Sequence, residues 1–303
     1  FRVSPFLRAA WDFLRHTPAI VRHLRKTGQR VTFLNTIAYL QQFLPPGIFS
    51  NENLERYMSR ALSTKGRSND FRNFPRELSI VAVEVDSAER WIFGTGGVQD
   101  VPISKAIQAS TAIPVFFEPV RIGEHLFIDG AAERVGHLDI ALGAGARLVL
   151  LINPTVPIYN DRSVVCLPTL FGRCSSVTEL GFTTVAEQTF RINSRVKLEL
   201  GVSLFRHRYP DVDLLVIEPS PMESTLFLSG SMNFAERVQS LNFGYNSAAR
   251  YFTEQFDMLK DCFARHGREV SLDGLKSDRF LDLVGSAPRK PRFRMRMHGE
   301  ARS

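Results

Sequence analysis

Short apolar runs and helical apolar spacings alternate along the chain. Largely apolar runs over residues 78–85, 147–153 and 212–217 predict buried strands. Between them, apolar residues recur at steps of three and four, which is the spacing of amphipathic helices. Strands that alternate with helices in this way predict an α/β fold with a largely parallel sheet covered on both sides.

Local signals set the expected limits of several helices. Thr17-Pro18 predicts that a first helix ends and a second one begins there. Asn51 is predicted to cap a short helix. The apolar stripe over residues 234–263 predicts one long amphipathic helix that packs into the core.

The same patterns divide the chain into three parts. Residues 1–155 are predicted to form the α/β domain. Residues 156–266 are predicted to form a mostly helical extension that packs on this core. Residues 267–303 are predicted to form a basic, disordered tail.

The formal charge of +7 is concentrated at the two ends of the chain. Residues 1–30 carry +6 and residues 287–303 carry +5, so the remaining body carries −4. Basic ends favour peripheral contact with an anionic membrane, although solvated ends account for the same composition. We expect no nucleic-acid partner, because the body is acidic and lacks a binding motif of interleaved aromatic and basic residues.

The three cysteines lack the spacing of a metal knuckle or a disulfide framework. We therefore expect reduced thiols at Cys166, Cys174 and Cys262, no metal and no cofactor. No apolar run approaches the roughly 20 residues that span a bilayer, which predicts a cytoplasmic or peripheral membrane protein. The chain begins at Phe1 inside a helical pattern, so we expect the native N-terminus to lie upstream.

An Asp-Gly pair directly follows an apolar strand. A hairpin predicted over residues 120–122 and 125–128 places Asp129 at the end of its second strand. Gly130 lets the chain turn away at once, and the small Ala131 keeps the approach to the carboxylate open. Asp-Gly is also the commonest turn dipeptide, so a purely structural turn is the alternative interpretation.

Five segments in a fixed order resemble patatin-like phospholipases. They are Ser79-Ile80-Val81-Ala82, Pro102-Ile103-Ser104-Lys105-Ala106-Ile107, Ala109-Ser110-Thr111-Ala112-Ile113-Pro114, Pro119-Val120-Arg121-Ile122-Gly123 and Phe127-Ile128-Asp129-Gly130-Ala131. The resemblance covers roughly residues 45–255. A single segment would be weak, whereas the order of all five is specific.

The resemblance implies a patatin-like three-layer sandwich with a largely parallel central sheet and a helical C-terminal extension. It also implies a serine–aspartate dyad, in which the serine of Gly-x-Ser-x-Gly attacks an ester carbonyl and an aspartate acts as its base. In the motif Asp129, Gly130, Ala131, the base is Asp129. No Gly-x-Ser-x-Gly occurs in residues 1–303, so the serine, the oxyanion glycines and the missing N-terminal part of the sandwich are expected upstream.

Four further residues near the motif are weaker candidates. Ser110 and Thr111 either line the site or only cap and pack the end of a helix. His125 and His137 flank Asp129 and would fit a Ser-His-Asp triad. The resemblance, however, implies a site without histidine.

Two departures from the family pattern and one glycine-rich segment complete the local picture. Glu84 and Ala88 stand where the family more often has Asp and Gly, so we expect an effect on local geometry. Residues 94–97, Gly-Thr-Gly-Gly, lack the spacing of a phosphate loop and are predicted to form a flexible turn.

Together these observations predict a lipid acyl hydrolase, a phospholipase or carboxylic ester hydrolase of lipid metabolism. Its substrate would be a phospholipid or another fatty-acyl ester. The alternative is a catalytically inactive relative that binds lipid or another partner. The 303 residues by themselves are predicted to be inactive, because they contain the base without the nucleophile.

Overall fold

The computed structural model describes residues 3–134, 136–160, 176–220 and 237–276. Contacts divide the chain into two compact units, residues 1–140 and 141–303. The expected domain boundary at residue 155 stays a prediction. Of the predicted tail, residues 277–303 lie outside the described residues.

The first unit combines helices with short strands. Its helices are α1 Val3–Lys26, α2 Phe33–Ile37, α3 Glu52–Leu62, α4 Ile103–Ser110 and α5 Leu138–Gly143, the last of which runs across the division between the units. Its strands are β1 Gly47–Phe49, β2 Ser79–Glu84, β3 Arg90–Gly94, β4 Val115–Phe117, β5 Val120–Ile122 and β6 His125–Asp129. Short 3₁₀ helices occupy Ala38–Gln42, Phe71–Asn73 and Gly130–Ala132.

Strand pairing confirms the α/β class and corrects the expectation of a largely parallel sheet. The four-stranded sheet has the order β3-β2-β6-β5, and all its pairs are antiparallel. Parallel pairing occurs between β1 and β4 and, in the second unit, between β7 and β8. The connections β2–β3 and β5–β6 are too short for the crossover of a dozen or more residues that a parallel pair requires.

Helix α4 packs against the antiparallel sheet and forms the core of the first unit. The helix can lie close to the strands because the side chains on this face are small, and its Ala106 and Ala109 are fully buried. The sheet supplies the large side chains, with Phe93 and Phe127 also fully buried and their ring centroids 5.4 Å apart in an edge-on arrangement. Since α4 contacts β2, β3, β5 and β6, its position fixes the frame around the end of β6.

In the second unit, the described residues form a parallel strand pair and three α-helices. Its elements are β7 Leu148–Ile152, the 3₁₀ helix Val177–Leu180, α6 Phe182–Arg208, β8 Asp213–Ile217, α7 Arg237–Glu254, α8 Phe256–Arg265 and the 3₁₀ helix Asp273–Lys276. Leu215 of β8 is buried against Leu259 and Cys262 of α8. The parallel pair β7–β8, with α6 between the two strands in sequence and α8 packed on β8, agrees with the α/β pattern that the sequence predicted.

Two helix boundaries differ from the expected ones. The predicted break at Thr17-Pro18 does not occur, because α1 continues through Pro18 and the Thr17 hydroxyl donates to the Phe13 carbonyl at 2.9 Å. Pro18 thus costs α1 one backbone donor without ending the helix. The predicted single helix over residues 234–263 is two helices that meet at Gln255, where neither proline nor glycine signals the change. Phe234 lies outside the described residues.

None of the described helices is both long enough and apolar enough to cross a bilayer.

Candidate active site around Asp129

Strand β6 places Asp129 at the end of the predicted hairpin. Residue 129 lies opposite Ala82 of β2 in the sheet register, and its backbone N–H donates to the Ala112 carbonyl at 3.0 Å. The chain then enters the 3₁₀ helix Gly130–Ala132 directly. The backbone of Asp129 is therefore held from two sides, by β2 and by the segment that follows α4.

The Asp129 carboxylate is half-buried and has a single hydrogen bond to a described residue. Its Oδ1 accepts from the Ala131 backbone N–H at 2.9 Å. Burial raises the pKa of Asp129 above its ordinary value, and the hydrogen bond from Ala131 opposes this shift in part. A carboxylate with a raised pKa is a better proton acceptor than a solvated one, which suits a general base.

Gly130 is required for a different reason than the sequence suggested. We expected it to supply the backbone freedom for a sharp turn, but its φ is not in the left-handed region. Instead, a Cβ at this position would lie 2.6 Å from the Val81 carbonyl oxygen of β2. The glycine therefore permits close approach of two backbones beside Asp129.

The C-terminal end of α4 carries the weaker candidates Ser110 and Thr111. The Thr111 hydroxyl donates to the Ile107 carbonyl at 2.8 Å, as expected for a residue that caps and packs the end of a helix. The half-buried Ser110 has no hydrogen bond from its hydroxyl to any described residue. The next residue, Ala112, receives the backbone N–H of Asp129, so both candidates stand close in sequence to a direct neighbour of the aspartate.

A buried amide pair that the sequence did not reveal joins α4 to the start of α3. Asn51 stands at the N-cap position of α3 but makes no capping bond with its side chain, contrary to the expectation. Its Nδ2 donates to the Gln108 carbonyl at 2.7 Å, and Gln108 Nε2 donates to Asn51 Oδ1 at 3.1 Å. Both side chains are buried, so each satisfies polar atoms that water cannot reach.

A second polar connection at the first turn of α4 strengthens the same contact. Ser104 is fully buried, and its hydroxyl donates to Glu55 Oε1 at 2.8 Å. Asn69 accepts from the Ser104 backbone N–H at 2.8 Å and donates to the Ser104 hydroxyl at 3.0 Å. These bonds hold α4 at both ends, and α4 in turn leads to Ala112 beside Asp129.

The two flanking histidines do not assemble a triad with Asp129. His125 begins β6, and four residues of strand separate it from Asp129 by about 13 Å. His137 has its Nδ1 3.5 Å from Arg90 Nη1, and burial and the nearby guanidinium lower its pKa. Neither histidine has a hydrogen bond to Asp129 within the described residues.

Glu84 and Ala88 both lie at the turn that follows β2, and the effect of their departure from the family pattern stays a prediction. The buried Glu84 carboxylate accepts from the Ser87 backbone N–H at 2.6 Å, which holds the turn that follows β2. Ala88 in that turn has a φ of 57°, a left-handed value that favours glycine. Residues 94–97 form a tight turn in which the Gly94 N–H donates to the Val98 carbonyl at 2.7 Å.

Val115, just beyond the Ala112 segment, has a φ of 73°. A β-branched residue in this region is a genuine outlier, and such strain is common near functional sites. Nothing in the apolar pattern signalled this strained conformation of Val115.

The described residues contain no group of three or more His, Cys, Asp or Glu side chains placed to hold a metal ion.

Comparison with family models matched residues 9–141 to the family described as patatin-like phospholipase. The sequence of this segment is similar to that family. It extends from α1 into α5 and contains α4, the antiparallel sheet and Asp129, although it covers somewhat less than half of the chain. A comparison with curated proteins gave no match. The patatin-like segment therefore includes every residue described above as holding Asp129.

Proposed function

We propose that the protein is a lipid acyl hydrolase in which Asp129 is the general base of a serine–aspartate dyad. The observation that carries the proposal is the half-buried Asp129 carboxylate, with one backbone hydrogen bond and a raised pKa, inside a patatin-like segment. A phospholipase family supports a lipid ester as the substrate class, such as a phospholipid or another fatty-acyl ester.

The chemistry assigns one role to each oxygen of the carboxylate. A serine hydroxyl becomes an effective nucleophile only when a positioned base accepts its proton. Oδ1 is held by the Ala131 N–H, which orients the group, and we assign Oδ2 to the serine hydroxyl. The attack would break the ester bond and form an acyl-enzyme, and the departing alcohol would take the proton that Asp129 had accepted from the serine. Water, giving a proton to Asp129, would then release the fatty acid, and the serine would recover its proton.

The 303 residues contain no Gly-x-Ser-x-Gly, so in this proposal the nucleophile comes from outside them. We propose that the serine and the oxyanion donors precede this chain and complete a three-layer sandwich around Asp129. In this proposal residues 1–155 belong to that domain, and residues 156–266 form the helical extension.

The test is ester hydrolysis by the protein together with the residues encoded upstream of Phe1. Asp129→Asn should lower kcat about 10²- to 10⁴-fold, since it removes the base while its amide oxygen still accepts from Ala131. Asp86→Asn, an exposed aspartate in the β2–β3 turn, is the matched control and should retain the parent rate. A fluorophosphonate probe should label an upstream serine in the parent protein.

Retained hydrolysis in a folded Asp129→Asn variant would contradict the dyad assignment. If the longer protein binds lipid but hydrolyses no ester, the alternative of a catalytically inactive lipid-binding relative is supported instead.

A further inference from the structure

Helix α1 has two apolar faces, and among the described residues only one of these faces is buried. The inward face buries Ala9, Ile20 and Leu24. The opposite face exposes three large apolar side chains at the spacing of one helical stripe, Leu7, Trp11 and Leu14. One stripe is sufficient to anchor a surface helix, so the second calls for another explanation.

The exposed stripe is large for a protein surface. Trp11 is 68 % exposed and Leu14 is 64 % exposed. Helix α2, which contacts α1, adds Phe33 at 78 % and Leu34 at 74 %. Single exposed apolar residues are ordinary, whereas a cluster of this kind marks an interaction surface.

The charges beside this stripe are almost all positive. Arg8, Arg15 and Arg22 recur every seven residues along one side of it, are exposed, and have no ion pair with a described residue. Residues 3–51 contain six Arg or Lys and a single acid, Asp12, and so carry +5. Residues 52–140 contain ten basic and thirteen acidic side chains and carry −3. The positive charge of the first unit is thus confined to the segment that exposes the apolar stripe.

We propose that the α1–α2 surface, defined by Leu7, Trp11, Leu14, Phe33, Leu34 and the arginines beside them, docks on an anionic lipid surface. The helix lies in the plane of the interface, with Trp11 and Leu14 inserted among the acyl chains and the arginines at the lipid phosphates. Through this surface the protein would reach its lipid substrate, and in this respect the inference rests on the proposed function. Binding to the lipid surface itself requires no hydrolysis.

Charge favours lipid over a second copy of the chain as the occupant. Two copies packed through this surface would bring two sets of unpaired arginines together, and like charges at an interface oppose association. An anionic bilayer supplies both the negative charge and the apolar layer that the surface presents.

The test is sedimentation of the 303-residue chain with vesicles, in which hydrolysis plays no part because the chain contains no Gly-x-Ser-x-Gly serine. The chain should bind vesicles of phosphatidylcholine mixed with phosphatidylglycerol much more strongly than vesicles of phosphatidylcholine alone. Binding should weaken as salt is raised, because the screening length falls from about 10 Å at 0.1 M to about 3 Å at 1 M ionic strength.

Two pairs of variants identify the surface. Arg8→Gln with Arg15→Gln should lower the partition coefficient about 25-fold, which corresponds to about five-fold for each arginine. Trp11→Ser with Leu14→Ser should lower it at least about ten-fold. The matched controls are Arg56→Gln with Arg60→Gln on α3 and Leu200→Ser with Leu204→Ser on α6, all exposed, and they should bind as the parent does.

Tryptophan emission shows directly whether α1 enters the lipid. The chain has two tryptophans, so Trp91→Phe leaves Trp11 as the sole reporter, and its emission should shift to the blue when anionic vesicles are added. Failure of a folded chain to bind anionic vesicles would overturn the proposal. So would parent-like binding of both α1 variants. A blue shift that rises with protein concentration without vesicles, together with a dimer in sedimentation, would assign the surface to a second copy.

Discussion

Two carboxylates at the ends of β2 and β6 have contrasting environments. Because the strands are antiparallel, Glu84 and Asp129 lie at the two ends of the short β2–β6 pairing, in which Glu84 lies opposite Phe127 and Asp129 lies opposite Ala82. Glu84 accepts from the Ser87 N–H at 2.6 Å and has the His125 ring 4.0 Å away, and these partners lower its pKa. Asp129 has one backbone hydrogen bond, and burial raises its pKa.

The contrast shows that burial and hydrogen bonding to the charged form act in opposite directions on the pKa of a strand-end carboxylate. The hydrogen bond from Ser87 stabilises the ionised form of Glu84, which serves the turn. Asp129 keeps acceptor capacity and a raised pKa, which are the properties of a base. The two inner strands of the sheet therefore carry a structural carboxylate at the end of β2 and a candidate catalytic carboxylate at the end of β6.

The largest effect on this contrast should come from pushing Asp129 out of its position. Gly130→Ala places a Cβ 2.6 Å from the Val81 carbonyl oxygen and should reduce the free energy of unfolding by about 1–3 kcal/mol. Gly143→Ala is the matched control, because a Cβ there meets nothing within 4 Å and its φ is not left-handed. Urea denaturation measures both variants, and equal stabilities for the two would contradict the close-approach argument.

Backbone strain at Val115 and Ala88 provides a second, smaller test. Val115→Gly relieves a left-handed β-branched residue and should raise the free energy of unfolding by about 1 kcal/mol. Ala88→Gly, in the turn held by Glu84, should raise it by about half as much, because alanine is less strained there. Thermal melts decide the order, and a loss of stability at residue 115 would show that the Val115 side chain contributes more by packing than its conformation costs.

The smallest effect is a difference in the sign of pH dependence. The raised pKa of Asp129 gives a contribution to stability that is present below the unfolded value of about 3.9 and is lost as pH rises through the folded value. The lowered pKa of Glu84 gives a contribution that is present above the unfolded value of about 4.3 and is lost as pH falls through the folded value.

Relative to the parent, Asp129→Asn should therefore gain stability as pH rises above about 4, whereas Glu84→Gln should lose stability as pH rises from acid values to about 5. Urea titrations at several pH values measure both trends. If the stabilities of both variants change with pH in the same direction, the difference between Asp129 and Glu84 is contradicted.

Apolar periodicity predicted several strands, but only one of their antiparallel pairings. The hairpin β5–β6 and the strands β2, β7 and β8 lie where the pattern placed them. The antiparallel pairing of β2 with β3 and with β6 was not predicted, because a buried strand has the same apolar run in either direction. The continuity of α1 through Pro18 was missed because one lost donor is a small part of a long helix.

The surroundings of Asp129 were less predictable than its position. Asn51 and Gln108 are far apart in sequence, and each residue alone has the pattern of a cap or a polar helix position. The left-handed conformation of Val115 has no sequence signal, since β-branched residues rarely adopt it. Such features arise only when distant segments are brought together.

The sequence by itself determined the α/β class, the patatin-like resemblance and the place of Asp129 at a strand end, because these depend on local spacing and on an ordered set of short motifs. Tertiary structure decided why Gly130 is glycine, what holds α4, and how Asp129 differs from Glu84. Close approach of backbones, burial and hydrogen-bond partners are properties of segments that meet in space, and local spacing carries no information about them.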